Sequence, residues 1–341
     1  MKTALPIEVV PYSENYTSAH RIFSEKMWPT KPRRQAADFV RWKFRGRPHG
    51  EVPGLLLAVR EGKVVGQVGL IPATLKNHNK TQPCQWVCDF MVDQDSRGQG
   101  VGSLLLRKAV ERDMITLGLN PTPSSLAAHS RVGFTTFSGP KMMLLPLKLN
   151  EMLRWKINKN LWSMVPALAV LGWPVIRFRS RKLYRGNGLV NVQMCPWEDV
   201  VDLIQARQNA FMQPHIAHDF GFLSWRCKPP KNFRQSVVGI RTSSGGYALI
   251  EVTPLCLFVS DWFAKDENDK LELFQAIYLL ARQSNSEMIQ VLAYEEQKDW
   301  FSQVGFLEVR RSLTVLLYPS AFRAEYENMH LSLMDSDSGD M

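Results

Sequence analysis

The sequence predicts an α+β chain built as two tandem copies of one unit, with the second copy degenerate. Three observations predict it. Apolar runs of strand length alternate with segments of helical periodicity along the chain. The order of elements and landmarks in residues 7–148 recurs from residue 187 onward, and such repeats decide architecture. A strand, a glycine-rich basic loop and a helix follow one another across residues 85–112.

The bulk numbers bound the class. A chain of 341 residues, 45% hydrophobic and 22% charged, suits two globular domains. Lys and Arg number 42 against 32 Asp and Glu, a net charge of +10. That balance favours anionic partners such as a phosphorylated cofactor or an acidic membrane surface. No nucleic-acid motif and no basic-aromatic stripe is present, so nucleic-acid binding is not expected. The cysteines are Cys84, Cys88, Cys195, Cys227 and Cys256, an odd count without a CxxC pair. Neither zinc spacing nor a disulfide framework follows, no metal is expected, and reduced thiols point to the cytoplasm. The start, MKTALPIEVV, lacks a signal-peptide core.

In order along the first half, residues 7–11 read as a strand. Residues 13–27 read as a helix with Tyr16, Ile22, Phe23 and Met27 on one face, and 36–45 as a second short helix. GLLLAVREGKVVGQVGLIPATL reads as a hairpin turning at EGK, and QWVCDFMV as a buried strand. A long helix is expected at 101–117, then a short helix, SLAAHSRVGF, ending at Gly133. MMLLPLKL is expected to close the first domain, 1–150, as a strand.

Residues 151–186 break the pattern. The apolar stretch 161–176 contains Pro166 and Pro174 and falls short of the roughly 20 residues a membrane-spanning helix needs. Basic residues flank it, including Arg154, Lys156, Arg177 and Arg181. An interdomain connector is the expectation, with a peripheral membrane contact through 154–185 as the alternative. From 187 to 325 the unit repeats: FLSWRCKPP echoes FVRWKFRGRP, and SQVGFLEVRRSLTVLL echoes SRVGFTTFSGPKMMLL. The glycine loop does not repeat. Lys265, Asp266, Glu267, Asn268 and Asp269 stand in its place, and acidic residues there satisfy a helix dipole themselves and repel a phosphate. Residues 326–341 form an acidic tail.

The glycine loop carries the chemistry. A helix N-terminus has unpaired N–H groups and favours negative charge. Glycines at 98, 100 and 102 let several amides converge on one anion without a Cβ in the way, and Arg97 adds a positive charge. The loop lacks the GK[ST] ending of a P-loop, and Ser103 stands where a dinucleotide fingerprint needs glycine.

CDFMVDQDSRGQGVGSLLL resembles the signature of the GNAT superfamily, the Gcn5-related N-acetyltransferases, through Arg97-x-x-Gly100-x-Gly102 after an apolar strand. PSSLAAHSRVGF, a short helix ending in Gly-Phe, is a second landmark. The resemblance implies two tandem GNAT folds, each a mixed β-sheet that splays open between the strand at 85–92 and the strand near 115–121. It implies acetyl-CoA in that V, with Arg97, Gly98, Gln99, Gly100, Val101, Gly102 and Ser103 around its pyrophosphate. An N–H at Met91 or Val92 would polarise the thioester carbonyl, and Ser125, with Ser124, would cap a helix and touch the CoA. Many relatives have a tyrosine four residues before the Gly-Phe glycine; here it is His129, a candidate acid for the leaving sulfur.

Asp89 lies mid-strand, where a carboxylate is costly unless paired or used. It is the candidate base, with a buried salt bridge as the competing reading and Glu51, His49 and His78 as exposed alternative bases. On strict alternation Asp89, Met91 and Asp93 share a face and Cys88 points away. Arg41, Lys43, Arg45 and Arg47 alternate with apolar residues; they form either a solvated helix face or a receiver for an anionic acceptor. The Trp42-Lys43-Phe44-Arg45 stretch and the Asp335-Ser336-Asp337 end resemble two-domain GNAT proteins encoded with polysaccharide genes, which implies an amino-sugar acceptor. The expected activity is direct transfer of an acetyl group to a primary amine of a small molecule. The alternative is a non-catalytic CoA-binding or scaffold protein. Acceptor, acyl length and a homodimeric state stay open.

Overall fold

The computed structural model describes residues 6–30, 36–45, 54–78, 80–112, 114–148, 174, 177–184, 192–230, 236–253, 255–309 and 312–335. In the first half, β1 (Glu8–Pro11) is followed by α1 (Thr17–Met27) and α2 (Ala37–Arg45). A meander of β2 (Leu55–Arg60), β3 (Lys63–Asn77) and β4 (Lys80–Val92) comes next. Then follow α3 (Val101–Val110), β5 (Ile115–Leu119), α4 (Pro123–Val132), β6 (Thr135–Ser138) and β7 (Lys141–Pro146). The second half runs α5 (Arg181–Tyr184), β8 (Val192–Pro196), α6 (Val201–Asn209), β9 (His215–Ile216), α7 (Phe220–Cys227), β10 (Ser236–Thr242), β11 (Tyr247–Val252) and β12 (Cys256–Phe263). It ends with α8 (Glu267–Gln283), β13 (Met288–Ala293), α9 (Glu295–Gln303), β14 (Leu307–Glu308), β15 (Thr314–Tyr318) and α10 (Arg323–Tyr326).

Local sequence explains the punctuation. Glu61 and Gly62 both take positive φ, the conformation a two-residue hairpin between β2 and β3 requires. Thr122 caps α4 by accepting the Ser125 N–H at 3.2 Å, and Pro123 occupies the first helical turn. Thr122, not Ser124 or Ser125, is therefore the cap residue. Gly133, at φ +104°, ends α4, with Phe134 N–H bonded to the His129 carbonyl and Gly133 N–H to that of Ser130. Two readings shift. α3 stops at Val110 rather than 117, because the chain is already extended in β5 from Ile115. On α1 the buried face is His20, Phe23 and Ser24, whereas Ile22 is 64% exposed, since it lies off the i, i+3, i+4 stripe.

The two sheets have the same strand order. One runs β1-β2-β3-β4-β5-β15-β6, with β9 also on β3; the other runs β8-β10-β11-β12-β13-β7-β14. Each contains one parallel pair, β4–β5 and β12–β13, among antiparallel neighbours. The fold is thus two tandem mixed sheets flanked by helices. The strand at 141–146, expected to close the first half, pairs instead with β13 and β14, and β15 takes the matching slot between β5 and β6. The two strands carry the similar apolar cores MMLL and TVLL and follow equivalent Gly-Phe segments, so each suits either slot.

The compact units accordingly interleave along the chain. Unit one comprises residues 1–139, 211–233 and 314–330; unit two comprises 140–210, 234–313 and 331–341. In unit one, Val101, Leu105, Leu106 and Ala109 of α3 bury one face against Leu56, Val68 and Leu70. In unit two, Leu273, Phe274 and Ile277 of α8 pack on Ile250, Leu257 and Val291. Each such buried side chain contributes roughly 1.5–3 kcal/mol of transfer free energy. All five cysteines are free and buried. Among the described residues no helix is long and apolar enough to cross a membrane, and no group of ligating side chains could hold a metal ion. The stretch 161–176 lies outside the described residues, except for Pro174.

Candidate active site

The site is built where β4 and β5 part. Their parallel pairing runs from Cys84↔Ile115 to Val87↔Gly118 and stops, while β4 continues to Val92 on β3 alone. A bulge falls at this point. Gly69 faces Cys88 and Gln67 faces Met91, so Asp89 and Phe90 together oppose Val68, with Asp89 at φ +46°. The bulge breaks the strict alternation that the sequence suggests for Asp89, Met91 and Asp93. Below it, Asp93 N–H donates to the Val65 carbonyl at 2.9 Å. Antiparallel alternation then turns Met91 N–H towards β3 as well, and leaves Val92 N–H and C=O on the open side. Arg97 confirms that side: its Nε donates to the Val92 carbonyl at 3.2 Å.

The loop from Asp93 to Gly100 is tied down from below. Lys26 Nζ donates to both Asp93 oxygens at 2.7 and 2.9 Å and to Asp95 at 3.1 Å. The Lys26 ammonium holds the Asp93 carboxyl below its ordinary value. Gln99 donates to the Asp95 carbonyl and accepts from Arg60, so its side chain is structural. Gly98 and Gly100 take φ +76° and +81°, which glycine adopts without strain. An added Cβ at either would meet nothing within 4 Å. Gly100 is the N-cap of α3 and supplies no side-chain cap, so the amides of Val101, Gly102 and Ser103 open onto unfilled space. The loop therefore fits an anionic group held by backbone donors. At Gly102 an added Cβ would stand 3.0 Å from Phe90 Cζ, which places the Phe90 ring beside the loop.

The corresponding place in unit two is filled by the chain itself. Asp266 caps α8 by accepting the Asp269 N–H at 2.9 Å. The buried Asp269 carboxylate accepts the Lys265 N–H at 2.8 Å and the Ser244 hydroxyl at 2.9 Å. A protein carboxylate sits where an external anion would.

His129 lies across the splay from the loop, and Phe90 connects the two. The His129 ring meets Phe90 at 5.3 Å and Phe134 at 4.8 Å, both edge to face. Its Nδ1 is 2.8 Å from the Ser125 carbonyl, which can only accept, so Nδ1 carries the hydrogen. Nε2 is then a lone pair, buried and without a partner among the described residues. Burial pushes the imidazole below its ordinary value. Ser125 Oγ lies 3.3 Å from Nδ1, against the ring it orients.

Asp89 is held in a buried polar cluster. Lys43 Nζ donates to Asp89 Oδ2 at 3.0 Å, with side chains 0% and 5% exposed. The Lys43 ammonium also lies 5.5 Å from the Phe39 ring centroid and 5.6 Å from that of Phe44. Gln67 donates to the Asp89 carbonyl and accepts from His20 Nε2 at 3.0 Å. Lys43 is thus neither on a solvated face nor offered to an anionic acceptor. Arg41 is exposed and pairs with Asp38 on its own helix; Arg47, His49 and Glu51 lie outside the described residues. Gln67, His20 and Phe90 were not among the sequence candidates, and Lys43 was a candidate only as part of a basic helix face, not as the partner of Asp89. The one available signal was the placement of Lys43 at i+3 and i+4 from Val40 and Phe39, on the apolar face of α2.

A mixed sheet that parts between β4 and β5, with an uncapped, glycine-opened helix beside the gap, is an arrangement of the GNAT fold. Residues 14–134 match the acetyltransferase (GNAT) family and form a domain of that family. No curated protein matches the sequence. Solved structures with the same fold include a GCN5-related N-acetyltransferase from Kribbella flavida, at TM-score 0.62 and 13% identity, matched over 96% of this chain and 75% of that one. Another, from Anabaena variabilis, has TM-score 0.57 and 10% identity over 91% and 72% of the two chains. Saccharomyces cerevisiae N-myristoyltransferase with bound myristoyl-CoA has TM-score 0.58 and 14% identity over 94% and 85%.

Proposed function

We propose that the chain is an N-acyltransferase that moves an acetyl group from acetyl-CoA directly to a primary amine of a small molecule, an amino sugar being the favoured acceptor class. The observation that carries this reading is the pairing of the splay beyond Val87↔Gly118 with the open, side-chain-free N-terminus of α3. Gln99, Gly100, Val101, Gly102 and Ser103 would hold the pyrophosphate through backbone N–H groups, with Arg97 and Gly98 shaping the loop. The bound thioester would supply the activated acyl group. Val92 N–H, on the open side of β4, would be the donor to the acyl carbonyl, with Met91 beside it facing β3.

A C–N bond forms and the C–S bond breaks, so the amine must lose a proton and the sulfur must gain one. Asp89, hydrogen-bonded to Lys43, is the base. His129 rests neutral with a lone pair at Nε2. It takes a proton from solvent before it gives one to the sulfur, while Asp89 returns the amine proton to solvent, and burial makes the imidazolium a stronger acid towards sulfur. A longer acyl donor is the second reading, favoured by the myristoyl-CoA bound in the structurally similar yeast enzyme. Cytoplasmic location is consistent with the five free thiols.

Thermal unfolding with a series of acyl-CoAs tests the reading. A donor at about 100 times its Kd stabilises the fold by about 2.7 kcal/mol, and Gly100→Glu, which sets a carboxylate at the cradle, abolishes the shift. No shift with any donor would overturn it.

A further inference from the structure

We infer that unit two carries a separate binding site for a phosphate-bearing ligand, formed by Arg177, Arg181 and Arg282. These three line a cavity of about 340 Å³, which falls in the range of small-ligand sites, about 300–1,000 Å³. None of its residues belongs to the candidate active site. Arg177 and Arg181 come from the short helical segment that includes α5, and Arg282 from the last turn of α8.

The lining has two parts. Leu147, Tyr278 and Ser180 are buried and make an amphipathic floor, while the three arginines and Tyr184 are exposed around it. Among the described residues no acidic side chain lines the cavity. Among the described residues none of the three arginines has a carboxylate partner, whereas Arg21, Arg41, Arg207 and Arg323 all do. Arg181 is oriented by stacking on Phe178 at 4.3 Å.

Three guanidiniums directed around one concavity repel one another, and the α8 carbonyl end offsets that only in part. A tetrahedral, multiply charged oxyanion is the chemistry that resolves it, because each fork can donate two parallel hydrogen bonds to phosphate oxygens. A carboxylate offers too few acceptor sites for three forks. The apolar and aromatic floor then receives the group esterified to the phosphate. The same chemistry belongs to a soluble phosphomonoester and to a lipid headgroup.

The test compares the full-length protein with the double variant Arg181→Ala/Arg282→Ala. Arg21→Ala/Arg323→Ala, which removes the same charge from unit one, is the control. Glycerol 3-phosphate is titrated calorimetrically, and flotation is measured with phosphatidylcholine vesicles with and without phosphatidic acid. Circular dichroism and thermal unfolding establish that all three proteins are folded. The wild type and control bind glycerol 3-phosphate, or float only with phosphatidic acid vesicles, and the Arg181/Arg282 variant loses that binding by at least about tenfold. The first pattern names a soluble ligand and the second a lipid headgroup. Absence of binding to both probes, equal binding by the variant, or equal loss in the control would overturn the site.

Discussion

Trp42 and Trp225 exchange hydrogen bonds: each indole N–H donates to the other's backbone carbonyl, at 3.0 and 2.9 Å, with ring centroids 5.9 Å apart. The two residues hold equivalent places in the repeated sequence, on α2 and α7, and both belong to unit one. The reciprocal geometry makes the pair a single energetic unit. Trp42→Phe and Trp225→Phe each remove one donor and strand one carbonyl, at a cost of about 1–3 kcal/mol. In a double-mutant cycle followed by urea unfolding, the double variant costs less than the sum of the singles, with a coupling of about 0.5–3 kcal/mol. Strict additivity would show that the two bonds are independent.

The Lys43–Asp89 pair is buried at both ends, and this sets two opposite outcomes. Lys43→Met leaves a carboxylate in a low-dielectric site and destabilises the fold by about 3–5 kcal/mol. Lys43→Met/Asp89→Leu removes both charges and recovers most of that loss. Asp89→Asn, which keeps the shape, is expected to lower kcat by about 10²-fold or more if the carboxylate is the base. An Asn variant with unchanged turnover would leave Asp89 a structural partner of Lys43 only.

Much of this fold was legible, and the reasons for the exceptions are physical. Gly133 and Gly305, Trp42 and Trp225 announced the duplication because each meets a fixed geometric need, an αL cap or a paired helix. The glycine loop was legible because positions 98 and 100 take positive φ, which glycine adopts without strain. The exchange of β7 and β15 was not, since MMLL and TVLL satisfy either sheet equally. Nor was the face of Asp89, because periodicity counts residues and a bulge inserts one. Lys43 shows a charge in the sequence; its partner lies 46 positions away and leaves no local trace.

Acid should unfold the chain earlier than carboxylate titration alone would require. His20 and His129 are both held below the ordinary imidazole value, chiefly by burial. The unfolded chain therefore takes up protons at about pH 6.5, where the folded chain still resists them. Protonation then favours the unfolded state: stability is full above that pH and falls as pH drops below it. Unfolding midpoints should decline between about pH 7 and pH 5, with a shallower slope in His129→Gln. Asp93, held low by Lys26, adds its own loss only at still lower pH. A midpoint flat across the imidazole range would show that neither histidine is held neutral.

The two helix N-termini differ in who supplies the anion, and that difference predicts stoichiometry. At α3 the cap is Gly100, with no side chain to offer. At α8, Asp266 and the buried Asp269 accept the N–H groups of Asp269 and Lys265. An added Cβ at Gly246 would collide with the Asp269 carboxylate, so the chain leaves no spare room on that side of it. Calorimetric titration with a donor that binds, in the Arg181→Ala/Arg282→Ala background that removes the arginine cavity, should give one equivalent per chain. Gly100→Glu should reduce this to none, since unit two has no loop to take over. Asp269→Ala should leave the single equivalent intact while destabilising the fold by about 1–3 kcal/mol, because the Ser244 hydroxyl and Lys265 amide lose their acceptor. Two equivalents in that background, or one remaining when Gly100→Glu is added to it, would place a second functional cradle in the chain and refute the degeneracy of unit two.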